Sequence, residues 1–302
     1  MLSPEGLRQR ARLLRAVRDF FQSRSYLEVD TPIRLPVLLP EADTLPVPSG
    51  GSFLQTSPEL CMKRLLAGGC TRLFQICHCF RQGERGRLHQ EEFTMLEWYH
   101  SGWSYLELMR ECEDFVRSVV SDDPSSGKEL FLSWQGKKIN LQSSWNRLTV
   151  DEAFQRYAGC SAQQAVDKGL FDELLVEKIE PELGWGCPLF LYDYPISLAS
   201  LARQSTDNPM VAERFELYIG GVELANGFSE LTDSVVQQQR FAAEIDRAEK
   251  NGQQLAMPER FLQDLDNLPS CAGIAFGLDR LLMLCAGVQT IAEVQSFSAE
   301  DL

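Results

Sequence analysis

Apolar residues recur at helical spacing near the start of the chain: Leu13, Leu14, Val17, Phe20 and Phe21 punctuate residues 8–24, with Arg and Gln between them. Side chains three and four positions apart share a helix face, so this spacing predicts one long amphipathic helix. Tyr26-Leu27-Glu28-Val29-Asp30-Thr31-Pro32 then predicts an extended segment stopped by proline. Such a strand belongs at a sheet edge, where it either packs internally or meets its own copy across a two-fold axis. Gly50-Gly51 predicts a tight turn between short strands, and Thr56-Ser57-Pro58-Glu59 opens a helix carrying Leu60, Met62, Leu65 and Leu66. Pro58 suits the first helical turn, Ser57 is a ready cap, and Glu59 complements the helix dipole.

Two alternating segments follow, 73–81 and 93–99. In the first, Phe74, Ile76, His78 and Phe80 take one face and Gln75, Cys77, Cys79 and Arg81 the other; in the second, Phe93, Met95, Glu97 and Tyr99 oppose Thr94, Leu96 and Trp98. Neither partition separates apolar from polar cleanly. A sheet whose polar face meets a ligand gives this pattern, and so does an imperfect amphipathic strand. The loop between them is rich in Arg, Gly, His and Glu, and reads as a nucleotide-handling hairpin with Arg81 at a strand end.

Ser104 and Glu107 have capping-box spacing and start a helix reaching about Val120. Residues 121–147 read as a surface connection and a hairpin turned at Gly136, 149–158 and 168–180 as helical, and 188–195 as a buried strand with proline boundaries. The polar stretch 200–209 is expected to be mobile. Residues 214–227 predict a strand, a glycine break and a second strand, with Phe215, Leu217 and Ile219 on one face. Helices are expected at 231–249 and around 259–266. Glu223, Asn226 and Glu230 follow the break: a lone carboxylate is usually solvated, but three polar groups near a glycine-rich strand end can organise a cation and an amine. Near the C-terminus Gly273–Arg280 runs into Leu281-Leu282-Met283-Leu284, which puts the Arg280 charge on the first turn of a buried helix.

Composition narrows the class. With 302 residues, 44% hydrophobic, the chain supports a large core. Its net charge of -14 opposes general binding of nucleic acid, and no stable nucleic-acid partner is expected. Nine cysteines and an N-terminus without an apolar run point to a reducing cytoplasm. Cys77-x-Cys79 reads as small core residues ahead of a zinc site, and no stretch of membrane-spanning length is present.

Three segments, in order, resemble the motifs of class II aminoacyl-tRNA synthetases of the lysyl branch: Val29–Pro32, Phe80-Arg81 through Glu92–Glu97, and Gly273–Arg280. The closer resemblance is to the elongation factor P (R)-beta-lysine ligase family, truncated paralogues of lysyl-tRNA synthetase. The helix that leads into the first motif starts almost at Met1, and Ala275 stands where lysyl synthetases usually have glycine. The resemblance implies an α+β fold, an antiparallel sheet flanked by helices, in a single domain over residues 1–302 with no anticodon-binding domain ahead of it. It implies activation of (R)-beta-lysine by ATP and transfer to a lysine ε-amine of elongation factor P, by a homodimer using Mg2+. A truncated lysine-activating enzyme serving tRNA or another carrier, and a synthetase-like binding protein without chemistry, are the alternatives.

The same resemblance implies residue roles. Arg81 contacts the α-phosphate and Arg280 the γ-phosphate; both are catalytic and ATP-binding. Glu223 binds magnesium and the phosphates with help from Leu224 and Asn226, Gly277 neighbours ATP, and His89 approaches the triphosphate. Glu59 and Glu230 receive the two amino groups, Tyr99 closes or hydrogen-bonds the side-chain end, and Ser57 and Ala275 line the substrate pocket. Glu97 positions the loop, and His78 and His100 are packing or surface residues. Two departures stand out: Gly83 replaces a usual Glu, leaving the adenine contact to Glu84 or a carbonyl, and Gln90-Glu91-Glu92 replaces Asn-Pro-Glu, with Gln90 retaining an amide.

Overall fold

The computed structural model describes residues 1–121, 130–298 and 301–302. Helix α1 (Pro4–Ser23) starts earlier than its apolar stripe, because Ser3 caps it by accepting the Gly6 N–H at 3.1 Å and Pro4 fills the first turn. Strand β1 (Leu27–Glu28) follows. A small side sheet comprises β2 (Arg34–Leu35), β3 (Pro48–Ser49) and β4 (Ser52–Leu54), the last two joined through Gly50 and Gly51 at positive φ. Helix α2 (Glu59–Ala67) begins one residue later than expected. Pro58 precedes its first turn, while the Ser57 hydroxyl still accepts the Glu59 N–H at 2.9 Å.

The two alternating segments form β5 (Arg72–Phe80) and β6 (Glu92–Ser101), and half of the expected capping box opens α3 (Tyr105–Ser121): Glu107 accepts the Ser104 N–H at 3.0 Å, while the Ser104 hydroxyl accepts from the Leu106 N–H at 3.3 Å rather than from that of Glu107. β7 (Phe131–Trp134) and β8 (Lys137–Asn140) are the expected hairpin; residues 122–129 of the expected connection lie outside the described residues. β9 (Asn146–Thr149) leads into the short helices α4 (Val150–Ala153), α5 (Ala162–Asp167) and α6 (Phe171–Leu174). Then come β10 (Leu189–Pro195), β11 (Val211–Ile219), β12 (Val222–Ser229), α7 (Ser234–Lys250), α8 (Glu259–Leu265), β13 (Cys271–Gly277) and α9 (Leu278–Ala286). The polar stretch expected to be mobile is held down: Ala202 and Gln204 bridge to Glu230 and Ala212, and Arg240 donates to the carbonyls of Ser200 and Ala202.

The main sheet runs β1-β5-β6-β13-β12-β11-β10-β9. Its middle, from β5 to β10, is antiparallel as expected; only the edge pairs β1–β5 and β9–β10 are parallel. One face is covered by α1, α3 and α9, whose Val17, Phe21, Phe115 and Leu281 pack on Phe74, Trp98, Phe215 and Phe276. The other face is flanked by two smaller cores, one around α2, α7 and α8 and one around α4 to α6, leaving its centre for a site.

Asp279, almost fully buried at the start of α9, locks these layers together. It accepts from Arg10 of α1 at 2.7 Å and from the Thr94 N–H of β6 at 2.8 Å, while Arg10 also donates to the Thr94 hydroxyl. Removing the carboxylate strands a half-buried guanidinium and a buried N–H. Asp279→Ala should therefore lose about 3–5 kcal/mol of stability, read as a lower urea midpoint.

Candidate active site

Strand register assembles the open face. Gln75, Glu97, Ala275, Asn226 and Glu216 are successive partners across β5, β6, β13, β12 and β11, so their side chains share one row. The adjoining row holds Tyr99, Gly273, Phe228 and Arg214. A register shift between Leu217 and Tyr218 places Glu223, not Leu224, opposite Tyr218. Such a bulge reverses the alternation. Glu223 consequently joins the row of Asn226, while the Leu224 side chain enters the core behind the sheet and leaves its main chain at the site.

A cavity of about 250 Å3 opens over these rows. Ser57, Glu59, Tyr99 and Ala275 line one end; Arg81, Glu84, His89 and Gln90 line the hairpin side; Glu223, Leu224, Asn226, Gly277 and Arg280 line the rest. Glu230, expected to meet substrate, is set one layer behind this wall, with its side chain wholly buried.

The first end is an anionic cluster. Glu97, expected to position the loop, instead occupies the cavity floor: Ser57 donates to its Oε1 at 2.6 Å and Tyr99 to its Oε2 at 3.0 Å. The Tyr99 hydroxyl, expected to contact substrate directly, is therefore engaged by Glu97. Lys63, which sequence reasoning missed, pairs with Glu59 Oε1 at 2.5 Å and with Glu230 Oε2. Its spacing four residues after Glu59 announces a helical ion pair, but nothing in that spacing says the pair is buried. Glu230 Oε1 has no hydrogen-bond partner. It lies against Gly273, where an added Cβ would come within 2.4 Å of it and within 2.2 Å of the Tyr99 ring.

Electrostatics follow from that crowding. Burial, then the neighbouring charge of Glu59, pushes Glu97 up to about 8. Burial also pushes Glu230 up to about 8, with Lys63 opposing the rise and Glu59 adding to it. Burial by itself would strip the Lys63 ammonium of its proton, yet the charges of Glu230 and Glu59 overcome it and hold that proton more tightly than usual.

The other end suits phosphate. Arg81 lies over the Phe93 ring at 5.2 Å, its buried Nε lacks a partner, and its nearest carboxylate, Glu84, is 3.9 Å away. Arg280 spans the far wall: Nη1 donates to the Glu223 carbonyl and carboxylate at 2.7 and 3.1 Å, and Nη2 lies 2.8 Å from His89 Nε2. Burial and the Arg280 charge lower the pKa of His89, so a neutral ring accepts from the guanidinium. Glu216 and Glu180 extend the oxygen cluster behind Glu223. Glu180 is pushed up to about 7 by burial and then by repulsion from Glu223 and Glu216.

The sequence departures have a local cause. Gly83 sits at φ 79°, a left-handed turn that disfavours the usual Glu, and Glu91 accepts the Gly83 N–H at 2.8 Å while pairing with Arg85 at 2.6 Å. Glu91 thus clasps the hairpin loop. Cys77 and Cys79 pack with Met95 in a small buried cluster, as core residues do. His78 is exposed beside Glu92, and His100 stacks on Trp103 at 3.7 Å between ring centres.

Over residues 3–301 the chain matches the tRNA synthetases class II (D, K and N). It is 38% identical over 309 residues to the elongation factor P–(R)-beta-lysine ligase of Salmonella gallinarum, covering 98% of this chain and 95% of that relative. Same-named enzymes of Salmonella dublin and Salmonella enteritidis are 38% identical over 314 residues with the same coverage. A class II sheet with the second and third motifs brought to one cavity, and relatives matched over nearly their whole length, place the chain: it belongs to the class II tRNA synthetase family and, within it, to the elongation factor P (R)-beta-lysine ligases.

Proposed function

We propose that this protein activates (R)-beta-lysine with ATP and joins it to the ε-amino group of a specific lysine of elongation factor P, acting in the cytoplasm as a homodimer whose residues 1–302 form one catalytic domain. The observation that carries the reading is one cavity with an anionic end, Glu59 and Glu97 with Glu230 behind Gly273, and a cationic side at Arg81. A diamino acid fits that polarity: two ammonium groups toward the carboxylates, the carboxylate toward the arginine. Among the described residues no helix is long and apolar enough to cross a membrane.

In the first half-reaction a carboxylate oxygen of beta-lysine attacks the α-phosphorus of ATP, the α–β anhydride bond breaks, and pyrophosphate leaves. Arg81, with its free Nε, neutralises charge on the α-phosphate as the bond order changes, while Arg280 holds the distal phosphates. Glu84 and the hairpin main chain meet the adenine end, with His89 and Gln90 toward the phosphates, and Gly277 lets ATP approach the sheet. In the second half-reaction the neutral acceptor amine attacks the acyl carbon, AMP leaves, and the extra proton goes to solvent. Nothing covalent forms on the protein.

Magnesium fits the opposite wall. Glu223, Asn226 and Glu216 offer hard oxygen atoms, and the crowding that raises Glu180 is what a divalent ion relieves. Among the described residues no group of three Asp, Glu, His or Cys side chains could hold a metal by itself, so the ion would need phosphate oxygens and water as further ligands. Bound there, it would neutralise phosphate charge.

Labelled (R)-beta-lysine or alpha-lysine, offered with Mg-ATP, elongation factor P and lysine tRNA together, tests the reading. Beta-lysyl label on elongation factor P is expected; label on tRNA, or on neither acceptor, would overturn it. Arg81→Ala should lower kcat for pyrophosphate exchange by about 10²–10³-fold without changing the circular dichroism spectrum. Gly273→Ala drives a methyl into Tyr99 and Glu230, and should raise KM for the amino acid by roughly 10–200-fold while leaving KM for ATP nearly unchanged. Ammonium groups bind ionised carboxylates, and Glu97 and Glu230 hold protons up to about pH 8. KM for the diamino acid should therefore fall as pH rises from about 6 toward 8, and Glu97→Gln should flatten the profile; a flat wild-type profile would contradict this assignment.

A further inference from the structure

The reading above uses the carboxylates of the anionic end and leaves its buried cation without a task. Lys63 is 2% exposed, projects from the second turn of α2, and reaches both Glu59 Oε1 and Glu230 Oε2. Its Nζ also lies 5.3 Å from the centre of the Phe228 ring. Burying an ammonium is costly, and a methionine or leucine would pack a helix onto a sheet at less expense. The ion pairs must therefore serve something other than packing.

Two geometric consequences follow from where the ammonium sits. It pairs with one oxygen of Glu59 and one oxygen of Glu230, which ties the two carboxylates to a common point. The other oxygen of Glu230, Oε1, has no partner and faces Gly273, the position where the wall carries no side chain. The ammonium also sets the charge. With all three carboxylates ionised, the state that incoming ammonium groups favour, Glu59, Glu97 and Glu230 against Lys63 leave two negative charges, which mirrors a substrate with two ammonium groups. Glu41, another carboxylate lining the cavity, feels the charge of Arg81 more strongly than that of Glu59, while Glu84, Glu223 and Asp279 line it away from Lys63, so none of them enters this count.

We propose that Lys63 is a specificity-determining positioning residue: a built-in ammonium that fixes Glu59 and Glu230, leaves one oxygen of each for the amino groups of a diamino acid, and matches the pocket charge to a dication. The proposal rests on the amino-acid activation described above, but not on which acceptor is modified. It places Lys63 behind the reacting groups, acting through the two carboxylates and touching neither ATP nor the scissile bond.

The test is pyrophosphate exchange with purified full-length protein, using (R)-beta-lysine and, as a monoamine, beta-alanine. Wild-type exchange with the diamino acid establishes the activation reading; its absence from protein that circular dichroism shows folded and that binds ATP sinks that reading and, with it, the role proposed for Lys63. Given wild-type exchange, Lys63→Met should raise KM for beta-lysine by roughly 30-fold or more, the scale of losing one partner of a buried charge pair, with KM for ATP within about twofold. Its preference for beta-lysine over beta-alanine should shrink. Lys63→Ala removes the propylammonium portion of the side chain, and added n-propylammonium should lower the raised KM while n-propanol should not. An unchanged KM in Lys63→Met overturns the proposal. So does an equal rise for ATP and amino acid, or rescue by propanol as well as by the amine, since each marks a residue that only fills space.

Discussion

Everything chemical in this molecule depends on the register of the antiparallel strands β5, β6, β13, β12 and β11. Because directly paired residues point to the same side of a sheet, one register brings Glu97, Asn226 and Glu216, contributed by strands far apart in the chain, into a single row. A slip of one residue would send all of them into the apolar layer beneath α1, α3 and α9. The aromatic packing of Phe21, Phe74, Trp98, Phe115 and Phe276 on that layer makes such a slip expensive. The core thus serves the site by forbidding alternatives, and the β12 bulge adds the one exception that brings Glu223 around.

With the backbone settled, charge decides the rest. The two ends of the cavity have opposite needs. At the amino-acid end several carboxylates are taken out of water, which the protein tolerates by hydrogen bonds from Ser57 and Tyr99 and by an internal ammonium. At the end proposed for phosphate the guanidinium of Arg81 keeps an unpaired donor, whereas Arg280 is tied to Glu223 and His89 and would exchange some of those bonds for a phosphate. The first end is set by buried pairs and hydrogen bonds, and the second is held together by contacts that a nucleotide can replace. This asymmetry suits an enzyme that must discriminate among amines but needs only to orient a triphosphate.

The loop between β5 and β6 shows how a local departure can be absorbed. A glycine at positive φ takes the place of a usual carboxylate, and Glu91 bonds the Gly83 N–H and Arg85 to close the turn. Both changes belong to one structural adjustment, and they leave Arg81, His89 and Gln90 at the cavity.

Much of this was legible along the chain. The 3.6-residue stripe of α1, the period-two alternation of β5 and β6, the Gly50-Gly51 turn and the break before β12 are local signals, set by side-chain spacing and backbone freedom, and they survive into the structure. The motif arginines were legible too, because a guanidinium on the first turn of a buried helix has no packing reason to be there. What the chain could not announce was depth. Lys63 looks like an ordinary helical partner of Glu59, Glu97 like a loop-facing strand residue, and Glu230 like a carboxylate open to substrate. Only the tertiary structure buries all three together, because burial, unlike periodicity, is a property of what other segments of the chain bring to the same place. The sequence by itself determined the elements, the family and the arginines proposed to bind phosphate; the packing of α2 against β6, β12 and β13 decided which carboxylates are buried together and which are held by Lys63.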